Sequence, residues 1–256
     1  MATIALTGSA SGMGAAARER LAAEGHQVIG IDIRDADIIA DLSRPDGRSA
    51  ALDQIRARCS GKLDGLVLCA GVGGHVGDNE LVVSVNYFGT VTMLDGLRES
   101  LERGTEPAAV VISSNSAKMV PVLDESPAVA AMLEGDEAEA RRLCADIPVG
   151  DLVYMATKNA LGRAVRRRAP EWGKSGVRLN AVAPGPIVTA LLEGALETPQ
   201  TGDAIRNLAL PLGRFGQPAE VAGLISFLLG PGASYMHGSI VYVDGGCDAA
   251  LRPDGY

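Results

Sequence analysis

The chain has 256 residues, 47% of them hydrophobic and 21% charged, which is enough apolar material for a packed core and excludes a disordered or collagen-like chain. Its 31 acidic and 23 basic side chains give a formal charge of −8, which disfavours nucleic acid and anionic membranes as partners and favours small molecules. The longest apolar stretches, such as residues 221–229, are about half the roughly 20 residues of a bilayer span. Because an apolar segment follows Met1 with no basic region before it, we expect no signal peptide and a cytoplasmic location.

Short β-rich runs recur along the chain, and segments with helical periodicity separate most of them. Continuous apolar runs such as Leu66-Val67-Leu68 are typical of strands covered by helices on both faces. Residues 13–24 predict the first helix, with Gly25 as its C-cap. No repeat or composition shift marks a second domain, so we expect one doubly wound α/β domain of the Rossmann type over residues 1–256. The predicted strands are residues 3–6, 27–32, 37–40, 65–69, 109–113, 177–183 and 239–243.

A glycine-rich loop, Thr7-Gly8-Ser9-Ala10-Ser11-Gly12-Met13-Gly14, lies between the first predicted strand and the first helix. Glycines allow a tight turn that approaches a pyrophosphate, and the helix N-terminus offers unpaired N–H groups. The spacing departs from the common G-x-G-x-x-G fingerprint, and a purely structural turn is the alternative. The strand before the loop and the helix after it favour a dinucleotide site, with Gly8, Ser11, Gly12, Met13 and Gly14 as cofactor-binding residues.

Asp32 ends the second predicted strand, 24 positions after Gly8. A carboxylate there can accept hydrogen bonds from the adenosine ribose hydroxyls and would repel a 2′-phosphate. Neither Ser11 nor Ile33 supplies a cation for that phosphate, although Arg34 is close in sequence. We therefore predict NAD rather than NADP as the cofactor, with a solvated turn residue as the alternative interpretation of Asp32.

Tyr154 and Lys158 are one helical turn apart on the same face of a predicted helix. At a separation of about 6 Å and an effective dielectric of about 20, an ammonium lowers a phenol pKa by about two units. Such a tyrosine could serve as an acid or base near neutral pH. An ordinary exposed pair on a helix is the alternative.

These residues together resemble one family, the short-chain dehydrogenases/reductases, and the resemblance runs from Thr3 to about Gly246. It implies hydride transfer between NAD(H) and an alcohol or ketone, so the protein is expected to be an enzyme. The matching positions are the loop from Thr7 to Gly14, Asp41 and Leu42 beside the adenine, Ala70 and Gly71, Asn86, Ser114, Tyr154, Lys158, and Pro184-Gly185 leading to Thr189.

The resemblance also implies the role of each matched side chain. Tyr154 would donate or accept the proton, Ser114 would orient the carbonyl, and Lys158 would bind the nicotinamide ribose and lower the tyrosine pKa. Asn86 would hold a water in a proton relay, and Thr189 would bind the nicotinamide amide. Ser113 competes with Ser114, and we prefer Ser114 because the family uses the later residue of such a pair.

The chain departs from the usual family pattern at two places. Cys69 replaces an asparagine before Ala70-Gly71, which removes a side-chain hydrogen bond and bears on stability more than on chemistry. Ser114 and Tyr154 are 40 positions apart, so an insertion lies at about residues 115–153. Both departures resemble the bacterial 3α-hydroxysteroid dehydrogenase/carbonyl reductase branch, which implies an apolar cyclic or steroid-like alcohol or ketone as substrate.

The insertion allows two interpretations. It could be a solvated surface excursion, but its ends adjoin catalytic residues, so we favour a lid over a hydrophobic substrate. It contains an acidic, helix-like part at residues 134–142. The insertion would also obstruct the helices starting near Leu81 and Tyr154 that family members pair into tetramers, so we predict a homodimer through residues 218–243. The apolar residues assigned to the lid are Met119, Val120, Val122, Leu123, Met132 and Leu133.

The cysteines and histidines show no metal-binding spacing, so we expect buried thiols, ordinary histidines and no metal centre. A non-catalytic NAD-binding redox sensor is the alternative function. Retention of serine, tyrosine and lysine together argues against it, because binding alone needs no proton donor. The residues concerned are Cys59, Cys69, Cys144, Cys247, His26, His75 and His237.

Overall fold

A computed structural model describes residues 1–255. Seven parallel strands form one sheet in the order β3-β2-β1-β4-β5-β6-β7, which confirms the predicted doubly wound α/β architecture. The strands are β1 (Thr3–Thr7), β2 (Gln27–Asp32), β3 (Ile38–Ile39), β4 (Gly65–Leu68), β5 (Ala108–Ile112), β6 (Arg178–Pro184) and β7 (Ile240–Val243).

Helices follow the strands and cover both faces of the sheet. In the first helix the buried positions Ala17 and Leu21 face the sheet, and Gly25 follows in the left-handed conformation at φ +84°, as the sequence predicts. The helices are α1 (Gly12–Ala23), α2 (Pro45–Arg58), α3 (Asn79–Val83), α4 (Thr90–Gly96), α5 (Arg98–Glu102), α6 (Pro127–Glu134), α7 (Glu137–Ala145), α8 (Gly150–Lys174), α9 (Ala190–Glu197), α10 (Pro199–Arg206), α11 (Pro218–Leu229) and α12 (Cys247–Leu251).

The alternation of side chains along each strand divides the core into two layers. In β5, Ala109 and Val111 pack with the layer that contains α2, α4 and α8, whereas Val110 and Ile112 pack with α1 and α11. Because both faces are covered, the strand interiors are continuous apolar runs. The parallel pairing also places the carboxyl ends of β1, β2, β4, β5 and β6 at one edge of the sheet, where the loops of the candidate site begin.

The insertion forms two helices, α6 and α7, rather than one acidic helix at residues 134–142. Gly135 ends α6 at φ +80°, and the Asp136 side chain then caps α7 by accepting a hydrogen bond from the Glu139 amide at 2.9 Å. The predicted boundaries are therefore wrong, since a left-handed glycine followed by an N-cap residue separates two helices.

The helices of the insertion pack against α3 and α8. Asn79 donates to the carbonyl oxygens of Cys144 at 3.0 Å and Ile147 at 2.8 Å, and Arg141 pairs with Glu80 at 2.6 Å. Met132 is fully buried in the same core layer as α8. The insertion thus covers the surface of α3 and α8, the helices that the sequence analysis expected it to obstruct for tetramer contacts.

Candidate active site

A cavity of about 550 Å³ opens at the carboxyl edge of the sheet. Loops after six of the strands line it, together with α9, α10 and the first two turns of α8. Every predicted site residue lines this cavity except Asn86 and Lys158, which lie behind its wall. Those that line it are Gly8, Ser11, Gly12, Met13, Gly14, Asp32, Asp41, Leu42, Ala70, Gly71, Ser114, Tyr154, Pro184, Gly185 and Thr189.

The glycine loop is held tightly between β1, the loop after β4 and the start of α1. Gly8 has φ +72°, and a Cβ there would lie 2.7 Å from the Ala70 nitrogen. A Cβ on Gly14 would overlap the carbonyl oxygen of Gly8. Among the described residues, no side chain caps the N-terminus of α1 and its first turn is free of acidic residues. The amides there face the cavity edge, an arrangement that suits an anionic pyrophosphate.

Asp32 lies at the cavity wall next to this loop. One carboxylate oxygen accepts from the Ala10 amide at 2.9 Å and the other from the Ile33 amide at 2.7 Å, so the side chain is fixed. Each oxygen keeps a lone pair for a ligand hydroxyl. Arg34 is outside the cavity lining, and Arg18 is engaged by Asp37 at 3.0 Å. The local charge at this wall is therefore negative.

The two serines after β5 differ in their partners. Ser113 donates to the carbonyl oxygen of Lys158 at 2.9 Å and ties β5 to α8. The Ser114 hydroxyl lies 2.9 Å from the Ser116 hydroxyl, and its interaction with the Tyr154 phenol lowers the pKa of that phenol. This contact with Tyr154 supports the choice of Ser114 for the serine role.

Tyr154 is in the first part of α8 with its phenol at the cavity. Burial raises the pKa of Tyr154, and the hydrogen bond from Ser114 opposes that rise without overcoming it. In the protein without ligand, desolvation of the phenolate therefore outweighs the interactions that favour ionisation, and the lowering of the tyrosine pKa by Lys158 stays a prediction. A neutral phenol keeps its proton across neutral pH and can donate it.

Lys158 is buried below Gly71 and 4% exposed. Its Nζ donates to the carbonyl oxygen of Ile112 at 2.9 Å and lies 5.6 Å from the centre of the Tyr154 ring. Burial lowers the pKa of Lys158 to about 8, while the neighbouring Cys69 opposes that change. The spacing of one helical turn between Tyr154 and Lys158 thus brings the two side chains together as predicted.

Asn86 lies in a π-helical segment, Ser84–Gly89, and is fully buried. Its side-chain oxygen accepts from the Val72 amide at 2.8 Å, and its side-chain nitrogen donates to the Val72 carbonyl at 2.9 Å. The side chain therefore holds the loop that carries Ala70 and Gly71.

Cys69 stands where the family usually has an asparagine, and the loop that carries Ala70 and Gly71 is held to β1 by another contact. The Ala70 amide donates to the Thr7 hydroxyl at 3.3 Å. Burial raises the pKa of the Cys69 thiol to about 12, so the thiol stays neutral beside Lys158. All four cysteines are free thiols.

The apolar half of the cavity comes from residues that sequence analysis missed. Helices α9 and α10 line the cavity with apolar side chains, as does Met155; Met119, which the sequence analysis assigned to a lid, lines it too. His75 also lines the cavity, and its Nδ1 is a buried atom without a hydrogen-bond partner among the described residues. Helical spacing of apolar side chains within residues 189–208 could have indicated this wall. Its lining residues are Leu191, Leu192, Ala195, Ala204, Ile205 and Leu208.

Of the six apolar residues assigned to a lid within the insertion, only Met119 lines the cavity. The assignment is wrong for Val120, Val122, Leu123, Met132 and Leu133. Leu123 and Met132 are buried in the core layer of α8, and Val122 is exposed to solvent. The apolar side chains of the insertion pack instead against the helical surface of α3 and α8.

Neither a metal-binding cluster nor a helix that could span a membrane occurs among the described residues. Among residues 1–255 there is no group of three or more His, Cys, Asp or Glu side chains placed to hold a metal ion. Within the same residues, no helix combines the length and apolarity needed to span a bilayer.

Comparison with known proteins agrees with the geometry of this site. Residues 2–125 match the family described as short chain dehydrogenase, and residues 140–248 match that described as enoyl-(acyl carrier protein) reductase. A 3-alpha-hydroxysteroid dehydrogenase/carbonyl reductase of Comamonas testosteroni is 47% identical over 99% of both chains. The chain belongs to the short-chain dehydrogenase family. The family predicted from the motifs is confirmed, and the protein is an oxidoreductase.

Other short-chain dehydrogenases extend the comparison. A crystal structure of the 3-alpha-hydroxysteroid dehydrogenase from Pseudomonas sp. B-0831 complexed with NADH is 50% identical, covers 99% of this chain and 100% of that one, and superposes with a TM-score of 0.97. A tropinone reductase homolog of Arabidopsis thaliana is 32% identical over 95% of this chain and 92% of its own length.

Proposed function

We propose that this short-chain dehydrogenase transfers a hydride between NAD(H) and a secondary alcohol or ketone with an apolar cyclic, steroid-like skeleton. One observation carries the proposal: Ser114 and Tyr154 meet on the cavity wall between the glycine loop and the apolar surface of α9 and α10. The reacting carbon would lie at this junction. The similarity to proteins named as 3-alpha-hydroxysteroid dehydrogenases supports the substrate class.

The residues at the polar end of the cavity fit NAD. The glycine loop leaves no room for a Cβ at Gly8 or Gly14, which lets it pack against Ala70 and the start of α1, and its residues at the cavity would receive the pyrophosphate. Asp32 would accept hydrogen bonds from the adenosine ribose, and its negative charge disfavours a 2′-phosphate. The similar Pseudomonas enzyme, which was crystallised as a complex with NADH, supports the same choice. Asp41 and Leu42 would lie beside the adenine, with Pro184, Gly185 and Thr189 at the nicotinamide end.

The chemical work of the chain is proton transfer and orientation. When bound, NADH supplies the hydride that reduces the ketone. Tyr154 would donate its phenolic proton to the carbonyl oxygen as negative charge develops on it, and Ser114 would hold that oxygen in place. Lys158, 5.6 Å from the ring centre, would stabilise the phenolate that remains. Asn86 would act by fixing the loop of Ala70 and Gly71 through Val72.

The apolar end of the cavity fits a flat hydrocarbon skeleton. Six side chains of residues 191–208 and two methionines line it. Burial of such a ligand against them would be driven by apolar area. His75 would be one of the few polar groups there, next to α9.

We also propose a homodimer, a cytoplasmic location and a single catalytic domain over residues 1–256. The helices α6 and α7 cover α3 and α8, which supports a dimer contact on another surface. Strand β7 ends the sheet, its four residues are half-buried, and Phe227 of α11 and Tyr235 are exposed nearby. These features support an interface at residues 218–243.

A panel of ketones with NADH, and of alcohols with NAD, tests the function. It should include a 3-ketosteroid, a monocyclic ketone such as cyclohexanone and a short acyclic ketone. We expect the highest kcat/KM with the steroid, because it fills the apolar end. Tight NADH binding without turnover of any ketone would favour the redox sensor instead. Turnover that is highest with the acyclic ketone would contradict the substrate class.

A further inference from the structure

Arg48 of α2 is a charged side chain in a buried position, 4% exposed. Its Nε donates to the Leu42 carbonyl at 2.8 Å, and its Nη2 donates to the Ser43 carbonyl at 3.0 Å. These carbonyls belong to the loop between β3 and α2, whose Asp41 and Leu42 line the cavity. Arg48 therefore fixes the backbone behind one wall of the cavity.

The counter-charge of Arg48 comes from the insertion. Glu137, the first residue of α7, accepts from Nη1 at 2.7 Å and from Nη2 at 2.6 Å, although it lies 89 positions further along the chain. A forked pair of this kind is among the stronger charge-assisted contacts in proteins. Without it the guanidinium would be a buried charge lacking a partner, which is strongly unfavourable, so Arg48 would turn towards water.

Two neighbours restrict the loop that Arg48 holds. Asp41 accepts from the Ser43 amide at 2.9 Å and from its hydroxyl at 2.7 Å, which closes a tight turn. A Cβ on Gly89 would lie only 3.2 Å from the Leu42 Cβ, so Leu42 has little room on that side. The loop thus packs closely against Gly89 and is hydrogen-bonded by Arg48, so loss of the Arg48 contacts removes one of these two restraints.

We propose that Glu137 is a positioning residue for the cofactor: through Arg48 it holds Asp41 and Leu42 in the conformation that binds the adenine. The inference rests on the proposed function, which places the adenine at this end of the cavity. The helices of the insertion thus act at the adenine end of the cavity through one ion pair, whereas Met119, which precedes them, lines the cavity directly.

The test compares Glu137→Gln with Glu139→Gln, two positions away in the same helix, where Glu139 pairs with the exposed Arg142. Titration calorimetry gives the Kd of NADH and of ADP-ribose, which keeps the adenine half and lacks the nicotinamide. We expect E137Q to raise both Kd values about tenfold, with E139Q unchanged. At saturating NADH, kcat and the KM for a ketone should stay within about twofold of wild type in both variants.

Arg48→Lys separates the ion pair from the carbonyl contacts. A lysine keeps the positive charge opposite Glu137, but it lacks the planar guanidinium that donates to the carboxylate and to both carbonyls at once. NADH affinity should therefore fall as in E137Q. If E137Q does not fold, Glu137→Asp, with a shorter reach to Arg48, carries the test and should show a smaller loss. Wild-type NADH affinity in a folded E137Q or E137D with a lowered Tm would show a structural role alone and overturn the inference. Wild-type protein that binds neither NADH nor ADP-ribose would instead overturn the proposed function, and the inference with it.

Discussion

Lys158 lies below the cavity as a buried ammonium, and its burial gives the protein a measurable dependence of stability on pH. In the folded chain the pKa of Lys158 is about 8, whereas its ordinary value is 10.5. Between these values the unfolded chain holds the proton and the folded chain does not. Unfolding therefore takes up a proton in this window, so the stability of the wild type rises as the pH rises.

The size of the effect follows from the two pKa values. Each pH unit across the window changes the free energy of unfolding by about 1.4 kcal/mol, which sums to about 3 kcal/mol between pH 7 and pH 10.5. Lys158→Met removes the charge and keeps most of the volume. It also leaves the Ile112 carbonyl without its donor, at a cost of about 1–3 kcal/mol that does not vary with pH. The difference between wild type and variant should therefore change with pH by about 3 kcal/mol in favour of the wild type.

Urea unfolding without cofactor, at pH 7, 8, 9 and 10.5 and one protein concentration, measures this difference. Lys174→Met, at an exposed lysine of the same helix, corrects for the loss of one positive charge from the surface. A difference that changes by less than about 1 kcal/mol, or in the opposite direction, would refute the reasoning that burial sets the Lys158 pKa.

Three further predictions concern the cofactor, the reaction and the assembly. Tyr154→Phe should leave less than about a tenth of the wild-type turnover with NADH affinity nearly unchanged, since only the transferable proton is lost; steady-state rates above that level would remove Tyr154 from the proton-transfer role. Asp32→Ala should weaken NADH and improve NADPH, as measured by the two kcat/KM values, and a wild type that prefers NADPH would contradict the interpretation of Asp32. Light scattering should show a dimer that Phe227→Asp dissociates, and a wild-type tetramer would rule out the proposed interface.

Local motifs allowed most of the site to be predicted from the sequence. The residues from Thr7 to Gly14 are consecutive, and Tyr154 and Lys158 are one helical turn apart, so local geometry decides what they can do together. The alternation of strands and helices then predicts that the loops after β1, β2, β4, β5 and β6 meet at one edge. That is where the cavity lies.

Two kinds of feature could not be predicted in this way. The net direction of the Tyr154 pKa depends on burial, which comes from packing of the whole domain and outweighs the contact with Ser114. The pair of Arg48 and Glu137 joins residues 89 positions apart, and neither side chain belongs to a recognisable motif. From the sequence, the charge near Asp32 can be judged only from residues close to it in the chain. The structure adds that Arg18, which is distant in sequence, is paired with Asp37.

The insertion shows why proximity in sequence to catalytic residues is weak evidence for a lid. Its two ends are fixed, since Ser114 follows β5 and Tyr154 lies in α8, but a segment of this length can return by several paths. Leu123, Val129 and Met132 of the insertion are buried in the core layer that contains the apolar faces of α3 and α8. The cavity is lined instead by α9 and α10, which directly follow β6 and need no long connection to reach it. The first turn of α7 lies close enough to α2 for Glu137 to meet Arg48, so the insertion reaches the cavity in two places: directly through Met119, and through this ion pair at the wall that carries Asp41 and Leu42.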